Sequence, residues 1–395
     1  MNILLINDWI DVSSTGSANS TMGIKSILEK NGHKVYLLSG KRNKPNLMSF
    51  IDAWISIGNY FETKKIIKEN KIDVVHVNNI ARFISPSPIL AAKRMKKRVV
   101  MTLRNNYYYC PKGWNVDRNH KECGKGYGFS CLISGCPSEN DGWIRLPYHF
   151  IKWIKVGFHR YFIMKYVDYF ICPSKKMRLI AMKSFNLSEK KVGYLPNFTK
   201  SGVNNGLKIE KNNKQFLFVG RISKEKGIEA AIRCMDHLIK KEGLTDIKLK
   251  IIGDGKYRKA MEGLAADLGI EKNIDFLGRI KNEELDRYYQ ESMALLVPSI
   301  WFEVFGLVNI EAMKNKIPVI GSDIGGISDI IDHGKTGYMF EAGNFREMSV
   351  YVKKLYNNIG LSEELGRNGY EKFVKEFNVS IYYEKLMKIY LGDIR

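Results

Sequence analysis

The 395-residue sequence contains no uncharged apolar run long enough to cross a bilayer, which takes about 20 residues. Near its start it also lacks a basic segment followed by a small-residue cleavage site, so no secretory signal peptide is predicted. Cysteine is scarce, with six residues in the chain. These absences predict a cytoplasmic protein without a membrane-spanning helix, whose thiols stay reduced.

Acidic residues are also in short supply. The chain has 41 Asp and Glu against 63 Lys and Arg, which gives a formal net charge of +22. Such an excess predicts acidic partners, which include phosphorylated substrates, an anionic membrane face and nucleic acid. No zinc-finger, RRM or helix-turn-helix signature is present, so a basic nucleic-acid-binding protein is an alternative that depends on charge alone.

Short apolar runs alternate with amphipathic helical patterns, which predicts parallel sheets covered by helices. One series of strands extends from residues 3–6 to 192–195, and a second extends from 215–219 to 338–340. The polar residues 200–214 between them predict a linker. We therefore expect an α/β chain of two Rossmann-like, doubly wound domains, residues 1–199 and 215–379, that face each other across a cleft.

The stretch 299–312, Ser-Ile-Trp-Phe-Glu-Val-Phe-Gly-Leu-Val-Asn-Ile-Glu-Ala, carries the clearest functional signal. It follows an apolar run typical of a buried parallel strand and opens a helix that extends to about residue 316. Open α/β sheets bind ligands at the carboxyl ends of their strands, and a helix N-terminus favours phosphate. Glu303 and Glu311 would lie beside that pocket, and carboxylates are strong acceptors for sugar or ribose hydroxyl groups.

A second motif covers residues 218–227, Phe-Val-Gly-Arg-Ile-Ser-Lys-Glu-Lys-Gly. A strand ends at Gly220, and Arg221 and Lys226 lie five residues apart before the next helix. Arginine offers a planar fork of donors to a diphosphate, and lysine adds a compact charge. The motif therefore predicts a diphosphate site.

Together the two stretches resemble the Glu-x7-Glu and Gly-Arg-x4-Lys-Gly motifs of the retaining glycosyltransferases of family 4 (glycosyl transferases group 1), which have the GT-B fold. The resemblance implies that the second domain binds a nucleotide-sugar and the first domain binds the acceptor, with UDP more frequent than GDP. It implies that Arg221 and Lys226 stabilise the leaving nucleotide without a divalent ion or other cofactor. Glu303 would accept hydrogen bonds from the sugar, and Glu311 from the ribose.

The same resemblance implies further donor contacts and one crossing of the chain. The contacts fall on glycine turns, on a strand end that meets the base, and on the start of the helix between the two glutamates; they are Gly16, Ser17, Gly220, Ile280, Phe305, Gly306, Leu307 and Val308. Residues 380–395 are expected to form a helix that returns to the first domain.

One strand end departs from the family pattern. Where many relatives carry a His-Asp pair close to the reacting sugar, this chain has Arg104 and Asn105. An arginine keeps its proton at neutral pH and does not act as a base. We expect Arg104 to stabilise phosphate charge near the acceptor, with Asn105 beside it; a plain surface arginine is the alternative.

An insertion at residues 105–142 holds Cys110, Cys123, Cys131 and Cys136. Four thiolates are able to bind zinc tetrahedrally, and His120 offers a substitute ligand. The spacing is irregular and contains no Cys-x2-Cys pair. A structural zinc and ordinary reduced thiols are therefore both open.

Residues 143–167 combine aromatic side chains at helical spacing with basic residues. This pattern predicts an amphipathic helix that lies on an anionic membrane, or a core helix with a solvated basic face. We expect a peripheral protein of the inner membrane face that transfers a hexosyl unit to a lipid-linked or polysaccharide-precursor acceptor. A nucleotide-sugar epimerase or hydrolase of the same fold, and a sucrose- or glycogen-type synthase, are the enzymatic alternatives.

Overall fold

A computed structural model of the chain describes residues 1–8, 16–40, 52–80, 84–134, 136, 146–199 and 214–393. The chain divides into two compact units. The first comprises Met1–Arg118, Cys123–Asn197 and Val379–Arg395, and the second comprises Asn119–Glu122 and Phe198–Asn378. Of the predicted linker 200–214, only Lys214 lies within the described residues.

The first unit is built on a six-stranded parallel sheet of order β2-β1-β3-β4-β5-β6. Its inner strands are largely buried, as expected for a sheet with both faces covered. The strands are β1 Asn2–Asn7, β2 Lys34–Ser39, β3 Val74–Asn79, β4 Arg98–Thr102, β5 Tyr169–Cys172 and β6 Val192–Tyr194. The helices are α1 Gly16–Lys30, α2 Ile57–Glu69, α3 Ser87–Arg94, α4 Ser130–Ile133, α5 Leu146–Tyr166 and α6 Lys175–Phe185.

The second unit repeats the plan with a six-stranded parallel sheet of order β12-β11-β10-β7-β8-β9. The strands are β7 Gln215–Val219, β8 Lys248–Ile252, β9 Ile274–Gly278, β10 Leu295–Val297, β11 Val319–Ser322 and β12 Gly337–Phe340. The helices are α7 Ile228–Lys240, α8 Arg258–Asp267, α9 Asn282–Gln290, α10 Leu307–Lys314, α11 Ile327–Ile330, α12 Phe345–Tyr356 and α13 Ile359–Glu376. The two sheets confirm the predicted α/β fold with two Rossmann-like units.

The last helix, α14 Val379–Leu391, packs within the first unit. The Tyr390 hydroxyl lies 2.6 Å from Nδ1 of His76, a fully buried residue of β3. Burial and the nearby Arg104 guanidinium lower the pKa of His76 to about 3. The imidazole is therefore neutral at physiological pH, and Thr102 Oγ1 lies 2.7 Å from its other ring nitrogen.

Two bases of α5 do not lie on the solvated face that the sequence predicts, whereas Lys165 is exposed. His159 is fully buried and Arg160 is 8% exposed. The Arg160 guanidinium donates to the Tyr108 carbonyl at 2.5 Å and lies 4.8 Å from the Tyr127 ring centroid. The expectation that these two positions lie on a solvated face is wrong, because both side chains are buried. Tyr108 and Tyr127 of the insertion contact Arg160, and His159 Nε2 lies 3.0 Å from the Ala53 carbonyl oxygen. Residues 143–145 of the predicted helix lie outside the described residues.

No helix among the described residues is long and apolar enough to traverse a bilayer.

Candidate functional site

The two predicted motifs lie at neighbouring strand ends of the second unit. β7 pairs in parallel with β10 on one side and with β8 on the other, so the strand order reverses between β7 and β10. Such a reversal opens the crevice where doubly wound sheets bind ligands. The loop 220–227 follows β7 and the loop 298–306 follows β10.

Gly227 lets these two loops touch. Its φ is +66°, and a Cβ atom at this position would lie 1.7 Å from the Pro298 carbonyl oxygen. A larger residue is excluded by the backbone of the facing loop, as well as by the left-handed conformation. The Ile300 amide completes the contact by donating to the Glu225 carbonyl at 3.0 Å. The turn that carries Lys226 is thereby fixed against the loop that carries Glu303.

Lys226 and Glu303 form an ion pair, although they are 77 residues apart in the sequence. Lys226 Nζ lies 2.6 Å from Glu303 Oε2, and the glutamate is 9% exposed. Trp301 Nε1 donates to the same oxygen at 3.0 Å, and the Ser299 hydroxyl lies 3.5 Å from it. The Lys226 ammonium also lies 5.3 Å from the Trp301 ring centroid. Lysine charge and carboxylate therefore share one small site.

The Gly325-Gly326 turn packs against the backbone of Glu303. Gly326 N–H donates to the Glu303 carbonyl at 2.6 Å. A Cβ atom on Gly325 would lie 2.3 Å from that same oxygen, so the turn requires glycine there. In the same unit, Glu122 accepts a hydrogen bond from Gly325 N–H at 2.8 Å.

Arg221 is the more open of the two predicted diphosphate ligands, with a side chain 56% exposed. One of its guanidinium nitrogens lies 2.6 Å from Oε1 of Glu225, whose side chain is 5% exposed. Glu225 is not predicted from the sequence, because a glutamate between two lysines in a turn is typical of solvated surface. Its place four residues after Arg221 was the available signal.

Glu311 lies on α10, whereas Glu303 lies in the loop before that helix. Tyr289, a buried residue of α9, donates to Glu311 Oε2 at 3.0 Å. Burial raises the pKa of Glu311, and the Tyr289 hydrogen bond opposes that shift. Tyr289 was also missed, since an aromatic residue at helical spacing indicates core packing first.

The remaining predicted donor contacts spread over both units. Gly306, with φ +88°, caps α10, Phe305 is buried before it, and Leu307 and Val308 are half-buried in its first turn. Gly220 and Ile280 follow the carboxyl ends of β7 and β9. Gly16 is the first residue of α1 in the first unit, and the turn at residues 9–15 before it lies outside the described residues. Of Ser17 the structure describes only its helical backbone.

Arg104 and Asn105 lie in an asparagine cluster at the carboxyl ends of β3 and β4. Arg104 donates from Nε to Asn78 Oδ1 at 2.9 Å and from Nη1 to Asn197 Oδ1 at 2.8 Å. Asn105 donates to Asn79 Oδ1 at 2.5 Å. Burial lowers the pKa of Arg104, and Tyr382 of α14 opposes that shift. Arg104 is therefore fixed by hydrogen bonds within the first unit and is not a plain surface arginine.

The four insertion cysteines carry free thiols. Cys131 Sγ lies 3.4 Å from the Gly126 carbonyl, and Cys136 Sγ lies 3.2 Å from the Ser134 hydroxyl. Burial raises the pKa of Cys110 and Cys131, which favours their neutral form. Within the described part of the chain, no three His, Cys, Asp or Glu side chains come together in a way suited to a metal ion. His120 Nδ1 instead lies 3.1 Å from the Ile300 carbonyl.

Comparisons with known proteins match nearly the whole chain. A family model described as Glycosyltransferase Family 4 matches residues 15–200, and one described as Glycosyl transferases group 1 matches residues 203–372. The glycosyltransferase MJ1607 of Methanocaldococcus jannaschii is 32% identical over 169 residues, which are 42% of each chain. The capsular polysaccharide biosynthesis glycosyltransferase CapM of Staphylococcus aureus is 29% identical over 212 residues, 48% of this chain and 53% of that protein. The chain thus spans about half the length of the curated relatives it matches.

Among solved structures, HepE of Anabaena in complex with UDP has the same fold, with a TM-score of 0.70 over 100% of both chains at 14% sequence identity.

Proposed function

Because the chain belongs to the family 4 glycosyltransferases and has their GT-B fold, we propose that it transfers a hexosyl unit from a nucleotide-sugar to an acceptor, with retention of anomeric configuration. The second unit would bind the donor and the first unit the acceptor. The observation that carries the proposal is the 2.6 Å ion pair between Lys226 and Glu303 at the reversal of strand order. It joins a diphosphate motif to a sugar-binding motif in one crevice.

In this proposal the cations of the loop 220–227 receive the diphosphate. The exposed guanidinium of Arg221 donates hydrogen bonds to the phosphates. The Lys226 ammonium contacts both the Glu303 carboxylate and the diphosphate. Their positive charge stabilises the negative charge that develops on the nucleotide when its bond to the sugar breaks. These two cations fill the role of a divalent ion, so the reaction is proposed to be metal-independent.

The two glutamates are assigned to binding. Glu303 accepts hydrogen bonds from hydroxyl groups of the transferred sugar, and Glu311 accepts from the ribose. Tyr289 holds Glu311 in place through its 3.0 Å hydrogen bond. The acceptor attacks on the front face of the donor, so no side chain is proposed as a covalent nucleophile.

We propose a UDP-sugar as the donor and a lipid-linked or polysaccharide-precursor molecule as the acceptor. The UDP in the HepE structure supports the nucleotide, and the role of CapM in capsular polysaccharide biosynthesis supports the acceptor class. Arg104 and Asn105 are proposed to meet the acceptor on the first unit. If Arg104→Lys leaves turnover and the affinity for both substrates intact, this assignment is wrong.

The first unit is further proposed to sit on the inner face of the cell membrane. Phe129 and Ile133, at α4, are 68% and 75% exposed, and Phe150 on α5 is 50% exposed. Trp153 joins Phe129 and Phe150, with ring centroids 6.5 and 6.3 Å away. A contiguous apolar surface of this kind suits contact with lipid, and the overall charge of +22 favours an anionic bilayer.

An assay with labelled donors tests the transfer. The protein is incubated with UDP-glucose, UDP-galactose or UDP-N-acetylglucosamine, with and without a bacterial membrane extract as acceptor, in EDTA. The proposal expects label in the extract only when protein and extract are both present, and an unchanged anomeric configuration by NMR. Consumption of donor without extract would establish a hydrolase or epimerase instead, and an absolute requirement for a divalent ion would contradict the metal-independent reaction.

Vesicle flotation tests the membrane contact. We expect the protein to float with vesicles that contain phosphatidylglycerol at low salt, and Phe150→Glu to abolish flotation. Val350→Glu is the matched control, since Val350 is 60% exposed on α12 of the second unit. Flotation that is equal for the two variants, or absent for the unaltered protein, would refute the contact.

A further inference from the structure

Among the described residues, the side-chain contacts of the Glu303 carboxylate all fall on one of its two oxygens. Lys226, Ser299 and Trp301 all approach Oε2, at 2.6, 3.5 and 3.0 Å. No hydrogen bond to Oε1 is present among the described residues. Two donors on one oxygen fix the rotation of a carboxylate, because turning it would break the hydrogen bond and the ion pair together.

We propose that Trp301 is a positioning residue that selects the orientation of Glu303 in which Oε1 is presented to a hydroxyl group of the donor sugar. This inference rests on the proposed function and goes beyond it, because Trp301 lies outside both the Glu-x7-Glu motif and the Gly-Arg-x4-Lys-Gly motif. Lysine alone leaves the carboxylate free to exchange its oxygens, since an ammonium is a compact charge without directional preference. The indole N–H of Trp301 is a directional donor, so its hydrogen bond fixes which carboxylate oxygen faces Lys226.

The indole ring has a second task in the same site. The Lys226 ammonium lies 5.3 Å from its centroid, within the range of a cation–π contact. The ring therefore holds the Lys226 ammonium beside Glu303, and the indole N–H holds the Glu303 carboxylate beside Lys226. A phenylalanine at position 301 would keep a ring beside Lys226 and lose the hydrogen bond to Glu303.

The test compares UDP with UDP-glucose by calorimetry. Trp301→Phe removes one hydrogen bond to a nearly buried carboxylate and should weaken UDP-glucose binding about three- to tenfold, while UDP binding changes by less than about twofold. Glu303→Gln should show the same pattern, and Trp301→Phe in the Glu303→Gln background should add no further loss. Trp153→Phe is the matched control, because it deletes an indole donor to the Gly128 carbonyl of the first unit.

The outcomes separate the inference from the proposed function. Equal weakening of UDP and UDP-glucose, or additive losses in the double variant, would overturn the role of Trp301 while nucleotide-sugar binding stands. Absence of UDP and UDP-glucose binding by the unaltered protein would instead remove the proposed function, and the inference with it.

Discussion

Replacing Lys226 with alanine should weaken UDP binding far more than uridine binding. The side chain is 23% exposed and its ammonium lies 2.6 Å from Glu303, so it is already held where the proposal puts the diphosphate. A hydrogen bond to a charged group contributes about 1.5–3 kcal/mol, and each 1.4 kcal/mol is a factor of about ten in affinity. We therefore expect UDP affinity to fall about 10- to 100-fold. Uridine has no phosphate and should bind as it does to the unaltered protein.

Lys224→Ala is the matched control for this experiment. Lys224 lies in the same turn and carries the same charge, but it is exposed. Calorimetry measures UDP, and ligand-observed NMR measures the weaker uridine. If Lys226→Ala bound UDP as tightly as the unaltered protein, or if Lys224→Ala lost as much affinity, the assignment of Lys226 to the diphosphate would be refuted.

Three further predictions concern the scaffold and its titration. Gly227→Ala should lower UDP affinity at least tenfold and reduce the urea midpoint of unfolding, because the alanine Cβ would lie 1.7 Å from the Pro298 carbonyl oxygen. A variant equal to the unaltered protein in both measurements would contradict the contact. UDP affinity should fall on acidification at a higher pH than an ordinary glutamate would give, because burial raises the pKa of Glu311; in Glu311→Gln that fall, followed by calorimetry, should disappear. His76 has a pKa of about 3 in the folded chain and 6.5 as its ordinary value, so only the unfolded chain takes up its proton between these limits. Stability should therefore drop as pH falls below 6.5, by about 2 kcal/mol at pH 5, and urea unfolding of His76→Gln should show a shallower drop.

The fold was predictable because both sheets are parallel and covered on both faces. Strands such as Ile3–Ile6 and Phe216–Phe218 then consist of apolar residues only, and the helices between them carry the amphipathic period. The pairing of Glu303 with Lys226 required more than the two motifs. It depends on β7 and β10 being neighbours, which local sequence does not specify.

The residues missed by the sequence analysis share a physical reason. Glu225 and Trp301 contact Arg221 and Glu303 close by in the sequence, whereas Tyr289 reaches Glu311 from another helix. In each case the residue type is more common in another role: a glutamate in a polar turn is usually solvated, and an aromatic residue usually packs in the core. Two bases of α5 show the converse error. His159 and Arg160 are expected on a solvated face, yet both are buried, and the Tyr127 ring lies against the Arg160 guanidinium.

The central claim is that the second unit holds a nucleotide-sugar through the loops after β7 and β10. Calorimetric titration with UDP and with GDP, each with and without EDTA, tests it most directly on the unaltered protein and on Glu311→Ala. We expect UDP binding that survives EDTA, exceeds GDP binding, and falls about tenfold or more in Glu311→Ala. Binding of neither nucleotide, or UDP binding that Glu311→Ala leaves unchanged, would contradict it.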